Sequence, residues 1–193
     1  MELTPELVER LRRAFKKGNQ FMLLMWRLGL GGYVNSWPEV GGRIMVLTHT
    51  GRKTGTQRRT PVNYILIDGD IYCTAGFGKV ADWYRNILRE PQVEVWLSDG
   101  WWQGIAEDAS QLPNRIGLIR QVLIASGFAA RTIGLNPNEM SDAQVAATSA
   151  DYKLIRIRRT SACTGSGGPG DLAWIWPAAA FMLLPFALLK RRK

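Results

Sequence analysis

Residues 48–64 read THTGRKTGTQRRTPVNY, and this window concentrates the side chains best suited to hold an anion. Gly51 and Gly55 bracket Arg52, Lys53 and Thr54 between two strand-like runs, so backbone amides and cationic side chains converge on one point. Arg58 and Arg59 follow directly. The spacing is not that of a P-loop, because GxxxxGKS/T is absent and no helix follows. A solvated basic hairpin would present the same residues, so the window alone leaves both readings open. A second window, residues 74–88 (TAGFGKVADWYRNIL), puts Gly76 and Gly78 after a strand, where bare backbone can approach a ligand closely. Trp83 and Tyr84 open the helix that follows, and aromatic residues there more often belong to a core than to a ligand site.

Other chemistries are poorly supplied. His49 is the single histidine, and Cys73 and Cys163 are the two cysteines. Zinc ligation, a disulfide framework and a Ser-His-Asp triad with a nucleophile elbow all lack their residues. No metal site is expected.

The elements that position these windows follow from composition. Residues 43–48, 60–67, 71–75, 93–98 and 101–107 are rich in Val, Ile, Tyr, Trp and Thr and read as strands. Asp68-Gly69 and Asp99-Gly100 are type I′ hairpin signals, so consecutive strands pair antiparallel. Residues 82–89 form a short helix ended before Pro91, and Leu112, Ile116, Ile119 and Leu123 mark a longer one. Another short helix starts at Ser141, and residues 152–158 return to the sheet. The expected fold class is α+β, a small antiparallel split β-barrel with packed helices and a C-terminal transmembrane or membrane-anchoring helix.

The expected division is residues 1–34, an N-terminal amphipathic helix; 35–159, the barrel; 160–171, a linker; and 172–193, a membrane anchor with a basic end. The first helix, or two broken at Gly18, starts at Thr4 and Pro5, lines up Leu7, Leu11, Phe15, Leu24 and Leu28 near helical spacing, and carries a basic face. Residues 160–171 (TSACTGSGGPGD) have a flexible linker's composition. Residues 172–189 (LAWIWPAAAFMLLPFALL) are uncharged and about 27 Å long as a helix, close to the thickness of a bilayer's hydrocarbon. Residues 190–193 are all Lys or Arg. With no convincing signal peptide, the domain is expected to be membrane-associated on the cytoplasmic side, whereas a basic cluster after a span favours the opposite orientation. A segment lying in the interface with both flanks on one side is a third arrangement.

The chain has 193 residues, with 25 Lys plus Arg against 16 Asp plus Glu, giving +9. That excess divides among the first helix, the loop and the C-terminal end rather than forming one stripe, which argues against nucleic acid as partner.

The segments GGRIMVLTHTGRKTG, RRTPVNY, GFGK, DWYRNIL and VEVWL, in that order, resemble the deazaflavin-dependent nitroreductase and quinone reductase family, whose split β-barrel is related to flavin-binding barrels. The resemblance spans broadly residues 21–152 and excludes the C-terminal segment. It implies coenzyme F420, an 8-hydroxy-5-deazaflavin with a phosphate and a polyglutamate tail, as cofactor, with flavin mononucleotide (FMN) as the alternative. It further implies that Arg52, Lys53 and Arg58 meet the anionic tail. Thr54, Pro61, Val62, Gly76, Phe77, Gly78 and Lys79 would line the phosphate and ring, and Trp83 and Asn86 would support them. The reaction implied is hydride transfer to a quinone, nitroaromatic or activated alkene, chemistry that belongs mainly to the cofactor. No catalytic acid is strictly required, although Tyr64 and His49 are candidates to donate a proton. By the same resemblance Trp26, Tyr33, Trp37, Phe128 and Met140 cover the ring face. The alternative function is a non-catalytic barrel carrying a flavin, haem or fatty acid.

Overall fold

The computed structural model describes residues 17–36, 41–127, 130 and 134–190. Thr4, Pro5, Leu7, Leu11, Phe15, Trp37 and Phe128 lie outside them. The fold is α+β, and six antiparallel strands close into a barrel. A first helix, α1, has residues 17–27 described and leads to the short α2 (Gly31–Val34). Strands β1 (Ile44–Thr50), β2 (Gln57–Ile67) and β3 (Asp70–Ala75) then run consecutively. Helix α3 (Asp82–Arg89) precedes β4 (Gln92–Leu97) and β5 (Gly100–Asp108). Helices α4 (Arg115–Ile124) and α5 (Asp142–Thr148) lead into β6 (Lys153–Ala162), and α6 (Ile175–Lys190) ends the described chain. Around the barrel the strands take the order β1-β2-β3-β6-β5-β4.

Alternation along the strands sends Met45, Leu47, Tyr64, Ile71, Cys73, Val93, Val95, Ile155 and Ile157 into the barrel, where Tyr84 and Ile87 of α3 join them. The opposite faces are also covered, which is why β1 is buried along nearly its whole length. Leu118, Ile119, Val122 and Leu123 of α4 pack with Ile65, Tyr72 and Leu154. Trp26 of α1 packs on Val46 and Trp96, backed by Met22, Leu23 and Trp101. Trp26 is 2% exposed, and burying an indole of that size contributes on the order of 3 kcal/mol.

Of the two hairpins, Asp68-Gly69 has φ of 52° and 87°, as a type I′ turn requires. The other differs from expectation. Leu97 pairs with Gly100, so the turn residues are Ser98 and Asp99, neither of which has positive φ, and type I′ geometry is absent. Gly100, at φ 146°, already belongs to the strand.

The C-terminal segment departs further. Residues 160–162 complete β6, and residues 163–172 are strapped to the barrel and to α1. The Cys163 amide donates to the Trp101 carbonyl (2.8 Å), the Gly170 amide to Trp26 (3.0 Å) and the Leu172 amide to Arg27 (2.8 Å). Arg27 also grips Asp171 through both carboxylate oxygens, at 2.9–3.1 Å. A Cβ on Gly168 would lie 2.5 Å from the Trp101 ring, so its bare backbone serves close packing here rather than flexibility.

The expected transmembrane helix is therefore corrected. Residues 171–174 are held in turns, and α6 starts at Ile175 with 16 residues, a length of about 24 Å. No helix among the described residues is long and apolar enough to cross a membrane.

Replacing Gly168 with Val should lift the strap from Trp101. Limited proteolysis is expected to cut residues 163–174 faster than in the parent protein, with little change in the melting temperature of the barrel.

Candidate functional site

The 51–56 loop between β1 and β2 is closed by its own backbone, with the Gly51 amide on the Thr56 carbonyl at 2.8 Å and the Gly55 amide on the Gly51 carbonyl at 2.8 Å. Its position is fixed by α3. Asn86, 2% exposed, accepts through Oδ1 from the Arg52 amide (3.2 Å) and from Arg52 Nη1 (3.0 Å). Its Nδ2 lies 3.1 Å from His49 Nδ1, and His49 Nε2 lies 3.2 Å from Thr60 Oγ1. An amide nitrogen can only donate, so Nδ1 accepts and the neutral ring carries its proton on Nε2, directed at Thr60. Burial first, then the Arg58 charge, pushes the His49 imidazole down to about 4.

Arg52 is thus turned toward α3. It also pairs with Asp82 at 2.9 Å, and the hydrogen bond from Arg52 is the main reason the Asp82 carboxyl sits below its usual range. Lys53, Arg58 and Lys79 form no ion pair among the described residues, and all three are exposed. Arg85 donates to the Lys79 carbonyl at 2.8 Å, joining the turn after β3 to α3. The loop, the Gly76–Lys79 turn and the exposed side of α3 therefore gather cations at one end of the barrel, with Asp82 as the acid placed among them.

The other expected site residues are more scattered. Thr54 is exposed, its hydroxyl 2.8 Å from that of Thr56. Pro61 and Val62 lie midway along β2, paired with Val46 and Met45, and Val62 packs against the barrel core. Strand alternation sends these two neighbours to opposite faces, so they do not form one wall. Gly76 is exposed and Phe77 is 46% exposed. Gly78 has φ 57°, and a Cβ there would lie 2.3 Å from the Asp151 carbonyl oxygen, so its bare backbone accommodates this chain. Trp83 is half-buried against the core.

Trp26, Tyr33 and Met140 do not share a packing unit either. Trp26 is buried on Trp96, Tyr33 is 74% exposed, and Met140 packs on the α4 cluster. Tyr64 is 5% exposed inside the barrel, and burial is the first reason its phenol is raised. Neither Tyr64 nor His49 is placed as an accessible proton donor. Cys73 is buried and its thiol is pushed up to about 12 by that burial, so it is inert.

A cleft of about 330 Å³ opens beside the loop, lined in part by Thr48, Thr50, Gln57, Glu94 and Gln103. The Thr48 hydroxyl is buried with no partner among the described residues, and Glu94 Oε2 accepts from the Trp101 indole at 3.0 Å. Sequence reasoning did not find this cleft, since its residues come from β1, β2, β4 and β5 and carry no shared motif. His49 was findable as an interior residue, because it continues the Met45, Leu47 alternation. Among the described residues no group of His, Cys, Asp and Glu is arranged to hold a metal.

Two outcomes are expected from the Asn86 network. Replacing Asn86 with Ala removes the hydrogen bonds to Arg52 and His49 and should cost about 2–4 kcal/mol in urea unfolding. Unfolded His49 protonates near 6.5 but folded His49 only near 4, so the unfolded state binds the extra proton between these values. Stability should fall as pH drops through that window, by about 3 kcal/mol at most, and His49→Gln should lose that part of the pH dependence.

A family model described as F420H(2)-dependent quinone reductase matches residues 25–134, more than half of the chain. Among solved structures, the haem storage protein HutZ from Vibrio cholerae aligns with a TM-score of 0.46 and 10% identity, covering 72% of this chain and 94% of that one. An F420 reductase aligns at 0.43 and 16% identity, covering 66% and 93%. An F420-H2 dependent reductase, FDR-A, aligns at 0.43 and 19% identity, covering 60% and 92%.

Proposed function

The chain belongs to the F420H(2)-dependent quinone reductase family, and on that premise we propose that it carries out hydride transfer from reduced coenzyme F420 to a quinone at a membrane surface. It is an F420-dependent oxidoreductase. Nitroaromatics and activated alkenes are further acceptors of the same electronic character, and the catalytic domain faces the cytoplasm.

The observation that carries this reading is the juxtaposition of exposed cations with a polar cleft. Lys53, Arg58 and Lys79 suit the phosphate and polyglutamate tail, and Gln57 and Gln103 offer exposed hydrogen-bonding groups in the cleft lining. The cleft volume falls within the range of small-molecule sites. When bound, the cofactor supplies the hydride. Arg52 acts differently from the other cations: through Asp82 and Asn86 it holds the loop in place. Asn86 and His49 position that loop from beneath, and His49 stays neutral. Glu94 makes the cleft less favourable to the phosphate than the loop is, so charge would sort the two ends of the cofactor.

A haem carrier is disfavoured, because both ring nitrogens of the single histidine are occupied within the protein.

Fluorescence titration with oxidised F420 and with FMN tests the reading. F420 should bind more tightly, and Lys53→Ala/Arg58→Ala should weaken it by roughly tenfold or more with FMN little affected. Preference for FMN, or an unchanged F420 affinity in the double variant, would overturn it.

A further inference from the structure

We propose that α6 is a lipid-binding arm that lies within one leaflet of an anionic bilayer, with both of its ends in the headgroup layer. This rests on the membrane location proposed for the enzyme and specifies how the contact is made.

The first observation is exposure of large apolar side chains among the described residues. Phe181, Met182 and Leu183 are 78%, 67% and 64% exposed on successive positions, so apolar side chains face outward around the helix. Trp174 and Trp176 are 63% and 50% exposed where the helix starts, and indoles favour the boundary between headgroups and hydrocarbon.

The second observation concerns the ends. The start of α6 is fastened to the folded domain, since Arg27 holds Asp171 and the Trp176 indole donates to the Leu28 carbonyl at 2.9 Å. That end cannot enter hydrocarbon without taking the domain with it. The other end reaches Lys190, succeeded in the sequence by Arg191, Arg192 and Lys193. Four cations there favour phosphate headgroups and resist transfer through the apolar layer.

Length then selects the arrangement. Sixteen helical residues span about 24 Å, short of the ~30 Å hydrocarbon core. Two polar ends joined by so short an apolar rod are both satisfied when they share one headgroup layer and the rod sinks beneath it. The anionic surface is the committed partner because the end charge is cationic and the chain as a whole carries +9. An acceptor quinone dissolved in that leaflet would meet the domain without leaving the lipid.

Flotation of the full chain with phosphatidylcholine vesicles, with and without phosphatidylglycerol, tests this. The protein should float with the anionic vesicles and bind the neutral ones more weakly. Phe181→Asp/Leu183→Asp should reduce the bound fraction by roughly tenfold or more. Trypsin added outside the vesicles should trim residues 190–193 of the bound protein. Absence of flotation, flotation indifferent to the double variant, or a C-terminal end protected until detergent is added would each overturn the proposal. Self-association through α6 in place of vesicle binding would also overturn it. F420 titration of the same double variant separates the two readings: unchanged affinity with lost flotation leaves the cofactor assignment standing, whereas a parent protein that does not bind F420 removes that assignment whatever the vesicles show.

Discussion

One buried carboxamide sets the arrangement at the functional end of the barrel. Asn86, on α3, ties the Arg52 backbone, the Arg52 guanidinium and the His49 ring together, and so joins three segments: α3, the loop and β1. Asn86 and His49 are buried, so their polar atoms would be costly to leave unpaired. Because the amide has a donor side and an acceptor side, it also fixes the His49 tautomer and, through it, the bond to Thr60. The cationic loop is held in one place from below while Lys53 and Arg58 remain exposed to solvent above it.

The outer surface is organised by a different device. Helix α1 covers Val46 and Trp96, and the strap after β6 covers α1's last turn and Trp101. Arg59 links the two layers: its guanidinium stacks on the Trp96 ring at 4.7 Å and donates to the Gly167 carbonyl at 2.6 Å. Adjacent arginines on β2 therefore have separate duties. Arg58 stays exposed at the loop, whereas Arg59 binds the C-terminal segment to the barrel.

Legibility depended on the range of the interaction involved. Strand positions were readable because β-branched and aromatic residues bury alternating side chains, and Asp68-Gly69 was readable because its two residues supply positive φ on their own. The second hairpin was misplaced by one residue. Pairing of Leu97 with Gly100 took the glycine into the strand, and composition cannot reveal register. Residues 160–171 resembled a linker because small residues that flex in isolation are also those that pack closely against an indole. At the site, the loop and α3 were both recognisable, but Arg52's commitment to α3 was not.

By itself the sequence determined the strand set, the inventory of cations beside the loop, and the presence of an uncharged C-terminal stretch. These depend on side-chain type and on spacing over a few residues. Only the tertiary structure decided which cations are left exposed, where the cleft opens, and how far the apolar helix extends before it is clasped. Those outcomes rest on pairs such as Arg52 with Asn86 and Arg27 with Asp171, separated by 34 and 144 residues. A hydrogen bond or ion pair is decided by distance and direction, and closure of the barrel is what brings such distant groups into range.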